Sequence, residues 1–563
     1  MKIILISNLK INQMNKILNQ ILWNRIISIV EEQAQTLLKT AFSTSVREAG
    51  DLSAGIYNKD GLMLGQAVTG TPGHVNAMAE SVKHFIKTFG YKNILIDDVY
   101  ITNNPWQGTG HLHDITIVTP FFFNSKLIGF FACTAHVVDI GGRGFGADAN
   151  SIYEEGLHIP IMKIFEKGKL ETPLIHLIEQ NVREPSQVIG DIFALINCNQ
   201  VGVKRLRIMM KEYHLIDLIN LSNYILSISM NSTKKLINKL PKKVVFNDLI
   251  IDGYDKPIKL KVKVTIIKNK IICDFSGSSN IDSKGINVPF IYTKAYACYA
   301  LKCAIAPDVP NNAGSLEPFK ILAPDNSIVN AKHPSAVSLR HIIGHIIPDT
   351  VFGALYKIIP EIIPAESTGF LCNFQLSIRP RTDKVPPKNC VRSEVLSFNS
   401  GGSGARKNQD GLNATAFPSG VMTMPVEATE NSGPIIIWKK EFRINSGGAG
   451  KFRGGLGQEM EVGVKFGHEF DFQAMFDRKI YPPRGRKGGK NGMKTILKLN
   501  DGTDMRGKGK HFVPHGKTVC IFFPGGGGYG DPKKRNKQLI ISDINNEFIT
   551  KQHAKLVYNF KET

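Results

Sequence analysis

The sequence predicts an α+β fold, a large multilayered unit of mixed helices and strands with a glycine-rich, β-rich C-terminal third. Three observations support this class. Residues 15–42 repeat apolar side chains at helical spacing without Gly or Pro. Residues 115–122 and 127–136 are dense in β-branched and aromatic side chains, as strands are. Gly-Gly pairs punctuate the last third, which is typical of short strands joined by tight turns.

The remaining elements follow from the same patterns in chain order. After the first helix, strand-like pieces surround residues 55–57 and 62–64, and a second helix fits residues 74–89. Downstream the periodicity predicts further helices at 185–230, 290–306 and 341–358, with alternating strands at 244–275. We expect a main domain at 15–532, divided into parts at 15–235, 236–400 and 401–532, between an N-terminal extension at 1–14 and a basic tail at 533–563.

Composition narrows the class of protein. The net charge is +22 in 563 residues, but the lysines are dispersed and the short basic clusters carry no interleaved aromatics, so we expect no nucleic-acid partner. No apolar run reaches the roughly 18–20 residues of a membrane span. Eight scattered cysteines without a Cys-x-x-Cys motif suit a reducing cytoplasm. The apolar start is interrupted at Ser7, which argues against a signal peptide, and Met14 is a second possible start.

A candidate metal site lies around the predicted hairpin. If Asn124 and Ser125 form a two-residue turn, residue 113 faces about residue 136, and residue 110 faces about residue 139. His111, Asp114, His136 and Asp139 then converge at the open end of the hairpin. Two imidazoles and a carboxylate are a common ligand set for a divalent transition metal. From the hairpin alone, solvated or merely hydrogen-bonded histidines explain the pattern equally well.

Other motifs carry weaker signals. Arg47 and Glu48, followed by Asp51, form either an electrostatic clamp or an ordinary helix-terminating charge cluster. The glycine-rich run 141–146 lacks both the dinucleotide-binding spacing and a phosphate-loop lysine. The run 524–532 implies close backbone approach, either to a ligand or to the protein's own core. The sequence contains no Gly-x-Ser-x-Gly elbow.

Taken together and in order, these motifs resemble the hydantoinase B/oxoprolinase family, which includes N-methylhydantoinase B subunits and the related subunits of acetone and acetophenone carboxylases. The resemblance covers roughly residues 15–532. It rests on Arg47-Glu48-x-x-Asp51-x-Ser53, Asn103-Asn104-Pro105-Trp106-x-Gly108, His111-Leu-x-Asp114, His136-x-x-Asp139-Ile-Gly-Gly142, Glu155-Gly156-Leu-x-Ile-Pro160, Asp410-Gly411, Pro425-Val-Glu427, Ser446-Gly-Gly-Ala-Gly450, Arg453-Gly-Gly-Leu-Gly457 and Pro524 through Pro532.

The resemblance implies a ligand set. In the related carboxylases two histidines and an aspartate bind manganese, and these map onto His111, Asp114 and His136; Zn²⁺ and Fe²⁺ are the alternatives to Mn²⁺. Asp139 is then expected to orient a ligand. Arg47 and Glu48 become candidates for positioning or proton transfer. His113, Asn104 and Trp106 differ from the residues usual in the family at these positions. The differences at Asn104 and Trp106 leave the substrate specificity open.

The resemblance also implies a division of labour. A partner of the hydantoinase A type binds ATP and activates the substrate, and the present chain opens the C–N bond of a hydantoin, N-methylhydantoin, 5-oxoproline or similar lactam by means of a metal-bound water. The expected assembly is a cytoplasmic hetero-oligomer. Two alternatives stay open: a component of an ATP-dependent acetone-type or acetophenone-type carboxylase, and a mainly structural partner of the ATP-binding chain.

Overall fold

The fold is that of a computed structural model, which describes residues 2–68, 71–388 and 390–561, with side chains described from residue 16 onward. Helices account for 31% of the chain and strands for 23%, distributed over several small sheets, so the predicted α+β class is confirmed. None of the helices in the described ranges is both long enough and apolar enough to cross a membrane.

The first part of the chain is built on a seven-stranded sheet with the strand order β2-β1-β5-β4-β3-β6-β7. Its strands are β1 (Leu52–Asn58), β2 (Met63–Gln66), β3 (Val99–Thr102), β4 (Asp114–Phe123), β5 (Lys126–His136), β6 (Met162–Glu166) and β7 (Lys169–Leu170). Its helices are α1 (Lys2–Thr40), α2 (Thr44–Arg47), α3 (Pro72–Phe89), α4 (Thr172–Asn181), α5 (Pro185–Glu212) and α6 (Ile219–Ile237).

Helix α1 starts earlier than the apolar pattern indicates. Its backbone is helical from Lys2, because the predicted extension also lacks Gly and Pro. Within the predicted stretch, Ile26 and Val30 are fully buried against the sheet, whereas Ile17 is 60% exposed. The apolar stripe therefore begins to contact the core one to two turns later than the sequence suggests.

The middle part combines a four-stranded sheet, in the order β11-β10-β9-β8, with four helices. The strands are β8 (Val244–Ile251), β9 (Ile258–Ile267), β10 (Lys270–Asp274) and β11 (Phe319–Leu322), and the helices are α7 (Phe290–Ile305), α8 (Ala313–Leu316), α9 (Arg340–Gly344) and α10 (Ile347–Leu355). The single helix predicted at 341–358 is thus two short helices. Pro348 lies in the first turn of α10, where its missing N–H is tolerated, and it could not continue a helix from upstream.

The last third contains two further four-stranded sheets, ordered β13-β12-β16-β18 and β14-β15-β19-β17. Phe374, Phe472 and Phe523 belong to the apolar cluster shared by these sheets. The strands are β12 (Phe374–Pro380), β13 (Ser393–Ser397), β14 (Ile435–Phe442), β15 (Gln458–Val464), β16 (His468–Met475), β17 (Ile496–Leu499), β18 (Lys508–Val513) and β19 (Val519–Phe522), and a short helix α11 spans Val426–Asn431.

The glycine-rich run near residue 526 packs against the protein's own backbone. A Cβ atom on Gly526 would lie 2.0 Å from the carbonyl oxygen of Ser403, and one on Gly454 would lie 1.9 Å from the carbonyl oxygen of Gly526. Side chains at these positions are therefore excluded by backbone contacts within the chain. Of the two explanations that the sequence leaves open, close packing within the core accounts for these glycines.

The predicted basic tail packs onto the last third. It forms α12 (Lys537–Asn545) and α13 (Lys551–Tyr558). Arg535 is buried and donates hydrogen bonds of 2.7 Å to Asp410 and to Asp543, and Tyr558 is buried nearby. The segment is therefore attached by a buried charge network that the sequence does not reveal.

Candidate metal centre

The metal-site hairpin forms as the sequence predicts. Strands β4 and β5 are antiparallel, and the turn residues Asn124 and Ser125 have φ angles of 48° and 62°. Two consecutive positive φ angles are characteristic of the tight turns whose twist matches a β-hairpin. At the other end of the hairpin, Asp114 lies directly opposite His136.

A β-bulge decides which residue faces His136. Phe122 pairs with Leu127, but the next pair is Phe121 with Gly129, so Ile128 is an extra residue on β5. The insertion shifts all later pairs by one position. Without a bulge, residue 113 would occupy this register position, as the sequence predicts, and the bulge brings the carboxylate of Asp114 there instead.

The three predicted ligands converge. His111 Nε2 lies 2.8 Å from Asp114 Oδ1, and His136 Nδ1 lies 3.2 Å from each of these two atoms. All three side chains are buried, and their ligand atoms lie within 4.8 Å of one another. Residues separated by up to 25 positions therefore present two imidazoles and one carboxylate to a single point.

The imidazole of His111 is held with one nitrogen directed at the cluster. Its Nδ1 lies 2.8 Å from the carbonyl oxygen of Ser338. Because a carbonyl only accepts, Nδ1 carries the proton and the lone pair of Nε2 faces the other ligands. Glu155 fixes this carbonyl in turn, since its Oε1 accepts hydrogen bonds of 2.6 and 2.7 Å from the backbone N–H groups of Val337 and Ser338.

Asp114 is kept ionised by its surroundings. Burial by itself opposes the charge, but Arg340, with a smaller contribution from His74, holds the pKa of this carboxyl well below its usual range. The guanidinium of Arg340 donates to Oδ2, His74 Nε2 lies 3.0 Å from the same oxygen, and Thr109 donates to it at 2.8 Å. Oδ1 therefore remains directed toward the two histidine ligands.

His74 connects this carboxylate to a second one. Its Nδ1 lies 3.6 Å from Asp51 Oδ1, which also accepts a 2.7 Å hydrogen bond from Thr71. Burial opposes protonation of His74, yet Asp114 and Asp51 together raise its pKa. Buried positive charge is thus placed on the side of Asp114 away from the other ligands.

The donor set fits a divalent cation. Burial, followed by the charge of Arg340, lowers the pKa of His111 to about 3, so its imidazole is neutral and able to ligate near neutral pH. Its Nε2 lone pair points at Asp114 Oδ1 and at the ring nitrogen of His136. A cation satisfies these electron pairs together, and mixed nitrogen and oxygen donors suit Mn²⁺, Fe²⁺ and Zn²⁺.

A small cavity of about 20 Å³ lies beside the cluster, with room for about one water molecule. It is lined by buried residues that lie between positions 51 and 398, namely Asp51, Thr71, His74, His111, His136, Phe145, Tyr292, Arg340, His341, His345, Leu371, Asn373 and Phe398. His341 Nε2, His345 Nδ1 and Asn373 Oδ1 are buried without a hydrogen-bond partner among the described residues.

Several of these cavity residues are absent from the sequence prediction. Arg340, His341 and His345 fall in a segment for which the sequence predicts only a helix, although two histidines four residues apart occupy one helix face and offer a signal. His74 lies in the first turn of α3, where nothing in the local sequence links it to position 114.

The remaining predicted site residues lie elsewhere. Arg47 and Glu48 pair with each other at 3.0 Å at the end of α2, and the Arg47 side chain is 46% exposed. Asp139 is buried and accepts hydrogen bonds from the backbone N–H of Gly141 and from the guanidinium of Arg183. It organises the chain after β5. The catalytic roles of these three residues stay predictions.

His113 is a buried neighbour of the cluster. Its ring stacks on His136 at 5.4 Å between centroids and also contacts Phe145. Neither ring nitrogen has a hydrogen-bond partner within the part of the chain that the structure describes. Its contacts are therefore with aromatic rings, and they support the orientation of His136.

Known protein sequences resemble this chain over nearly its whole length. The hydantoinase B/oxoprolinase model matches residues 15–532. An uncharacterized protein of Methanocaldococcus jannaschii is 32% identical over 97% of this chain and 96% of its own length. The B component of a putative D-/L-hydantoinase from a Pseudomonas strain is 26% identical over 96% of this chain and 94% of its own length. A 5-oxoprolinase of Dictyostelium discoideum is 28% identical over 92% of this chain, which spans only 40% of that protein.

Two solved structures share the fold. An ATP-dependent caprolactamase from Pseudomonas jessenii superposes with a TM-score of 0.88 at 24% identity, covering 97% of this chain and 96% of that one. A nucleotide-free acetone carboxylase gives a TM-score of 0.86 at 18% identity, covering 98% of this chain and 80% of that one.

Proposed function

Because the chain belongs to the hydantoinase B/oxoprolinase family, we propose that it is one component of an ATP-dependent amidohydrolase that opens the C–N bond of a cyclic amide. Hydantoin, N-methylhydantoin, 5-oxoproline and similar lactams are the proposed substrates. The observation that carries the proposal is the buried convergence of His111, Asp114 and His136 within 4.8 Å. The relatives include a putative hydantoinase component and 5-oxoprolinases, which supports this chemistry.

In this proposal His111, Asp114 and His136 hold the metal. A divalent cation bound there, proposed to be Mn²⁺ with Zn²⁺ or Fe²⁺ as alternatives, would lower the pKa of a bound water and so supply a nucleophile near neutral pH. The chain's own residues prepare this site. Arg340 keeps Asp114 ionised, and the backbone carbonyl of Ser338 fixes the tautomer of His111.

Proton transfer and positioning are assigned to residues outside the ligand set. Asp139 positions the loop that carries Phe145, and the Phe145 ring lies 4.8 Å from that of His136. Arg47 and Glu48 are proposed to act in positioning or proton transfer, and from their exposed location they would do so only when a partner or substrate covers the end of α2.

The ATP-dependent step is assigned to a hydantoinase A-type partner in a hetero-oligomer. The sequence lacks a phosphate-loop lysine motif, and the chain spans only 40% of the Dictyostelium 5-oxoprolinase, whose remainder is long enough for a further catalytic unit. A cytoplasmic location is proposed with this assembly, and an N-terminus found processed in the native protein would contradict it.

Membership of a carboxylase complex is the second candidate function. The fold likeness to acetone carboxylase favours it, since the TM-score is 0.86. A purely structural role is disfavoured, because three converging buried ligand groups serve no purpose in a scaffold and are costly to bury without a partner.

The test is to co-express the chain with its ATP-binding partner and to measure ATP consumption. The substrates are hydantoins, 5-oxoproline and small ketones, each with and without bicarbonate and Mn²⁺. Lactam-dependent turnover without bicarbonate is the expected result, whereas ketone turnover that requires bicarbonate would establish the carboxylase. His111→Ala and His136→Ala variants should lose both metal and activity, and wild-type values for both would contradict the metal site.

A further inference from the structure

A second, larger pocket lies beside the metal cavity. Its volume is about 660 Å³, which is ample for a small ring compound, whereas the metal cavity has only about 20 Å³. Its wall combines the start of α3 at Pro72, the end of α7 at Tyr299 and Lys302, and the segment carrying Phe417 and Ser419. We call it the Lys302 pocket.

A hydroxyl contact joins the wall of one space to the wall of the other. Thr71 lines the metal cavity, Ser419 lines the Lys302 pocket, and their hydroxyl oxygens are 3.3 Å apart. The first turn of α3 belongs to both spaces, since His74 faces the cavity and Val75 lines the pocket. A ligand that reaches Ser419 in the pocket therefore lies next to Thr71, a wall residue of the metal cavity.

The pocket carries a single charge. Lys302 is the only charged side chain among the described residues that line it. It is 7% exposed, and its ammonium donates to the backbone carbonyls of Ala306 and Val309. These two carbonyls leave one N–H donor of the ammonium free, and the nearby anion that acts on it, Asp308, is exposed and lies outside the pocket lining. Burial lowers its pKa to about 8, which leaves it mostly protonated at pH 7.

We propose that the Lys302 pocket binds a cyclic amide that bears one carboxylate, with Lys302 as the counter-ion and the amide end of the ring directed at the Thr71–Ser419 contact. This inference rests on the proposed function and narrows its substrate class. One ammonium in a largely apolar wall complements a single negative charge. A nucleoside triphosphate carries several negative charges and is bound by several cationic groups and backbone N–H donors, so it does not match a pocket with one ammonium.

The experiment measures binding to the Mn²⁺-loaded complex by titration calorimetry. The two probes are 5-oxoproline and 2-pyrrolidone, which share a five-membered lactam ring and differ in the carboxylate. Lys302→Met should weaken 5-oxoproline binding by about tenfold to a hundredfold, the range for a hydrogen bond to a charged group, and leave 2-pyrrolidone binding unchanged. The control Lys320→Met, at an exposed lysine on β11, should change neither.

A second pair of variants tests the pocket without touching its buried charge. Pro307 is exposed and lines the pocket, so Pro307→Trp should obstruct it, whereas Pro173→Trp makes the same exchange at an exposed proline in the first turn of α4, outside the lining. Only Pro307→Trp should lose binding, and mass spectrometry should find the same metal content in both variants.

The outcomes separate the two proposals. Equal affinity of the wild-type complex for both probes, or equal losses for both probes in Lys302→Met, would overturn the inference. Carboxylate-selective binding that depends on Lys302 would uphold it, even if the complex turned over no lactam, and that lack of turnover would contradict the proposed function alone.

Discussion

Replacing Asp114 by asparagine tests the electrostatic design of the metal centre. The substitution keeps the shape of the side chain and removes the one negative charge among the three ligands. It also leaves the guanidinium of Arg340, which is 2% exposed, without its carboxylate. Two separate effects are expected: loss of metal binding and loss of stability.

The stability effect can be estimated from the burial of the pair. Removing one partner of a buried ion pair costs about 3–5 kcal/mol. An unfolding entropy of about 2.1 cal/mol/K per residue amounts to about 1.2 kcal/mol/K for this chain if it unfolds as one unit, so Tm should fall by about 3–4 °C. Metal affinity should fall by more than about a hundredfold, since even the neighbours that orient a ligand contribute tenfold to a hundredfold.

The assay combines thermal unfolding of the metal-free protein with metal analysis after dialysis against Mn²⁺. Adding Arg340→Met to Asp114→Asn removes the uncompensated charge and leaves an apolar chain against the ring of Tyr292, which Arg340 covers at 4.0 Å. This double variant should regain most of the lost Tm but no metal. Asp60→Asn, at an exposed carboxylate paired with Lys59, should change neither quantity.

Wild-type metal affinity in Asp114→Asn would refute the ligand assignment. A double variant no more stable than Asp114→Asn would refute the account of Asp114 as the partner that compensates Arg340.

Two further predictions concern the residues that support the cluster. Gly110 has φ of 106°, and a Cβ atom there would lie 2.5 Å from Arg340 Cδ, so Gly110→Ala should lower both Tm and metal affinity. Gly516→Ala, at φ of 81° in a turn where an added Cβ atom meets no atom within 4 Å, should cost only about 1–2 kcal/mol of backbone strain. Equal behaviour of the two variants would contradict the role of Arg340. Burial raises the pKa of Glu155 from 4.5 to about 8. Between these values the unfolded chain has lost the proton that the folded chain keeps, so the free energy of unfolding should fall as pH rises from about 4.5 to 8. Denaturant unfolding across this window should show a flatter dependence in Glu155→Gln, and an unchanged slope would argue against a protonated Glu155.

The outcome for the hairpin shows how far sequence patterns reach. Strand composition and the turn at Asn124 and Ser125 were sufficient to place β4 against β5. The bulge at Ile128 was not predicted; Gly129 next to it is the kind of strand glycine that often marks a bulge, but it does not reveal the register. The bulge selects Asp114 over His113 opposite His136. Local sequence patterns identify helices and strands. The exact pairing of residues between two strands depends on how the whole sheet packs.

At the predicted helix 341–358 the sequence indicated the type of structure but not which residues its side chains contact. Its apolar periodicity correctly indicated helical structure, and Pro348 explains the division into α9 and α10. The inward direction of Arg340, His341 and His345 depends on contacts with residues more than two hundred positions upstream, such as the pairing of Arg340 with Asp114. No periodicity within the segment encodes that partner.

The sequence by itself determined the α+β class, the hairpin and, through its ordered motifs, the family and the three side chains His111, Asp114 and His136 that the structure brings together. These properties depend on local periodicity and turn chemistry, or on motifs read along the chain. Tertiary structure alone decided the bulged register, the chain of contacts from Glu155 through Ser338 to His111, the charge balance around Asp114 and the place of Lys302 in the wall of the second pocket. Each of these depends on distances between remote segments, which are fixed only when the packed core brings those segments together.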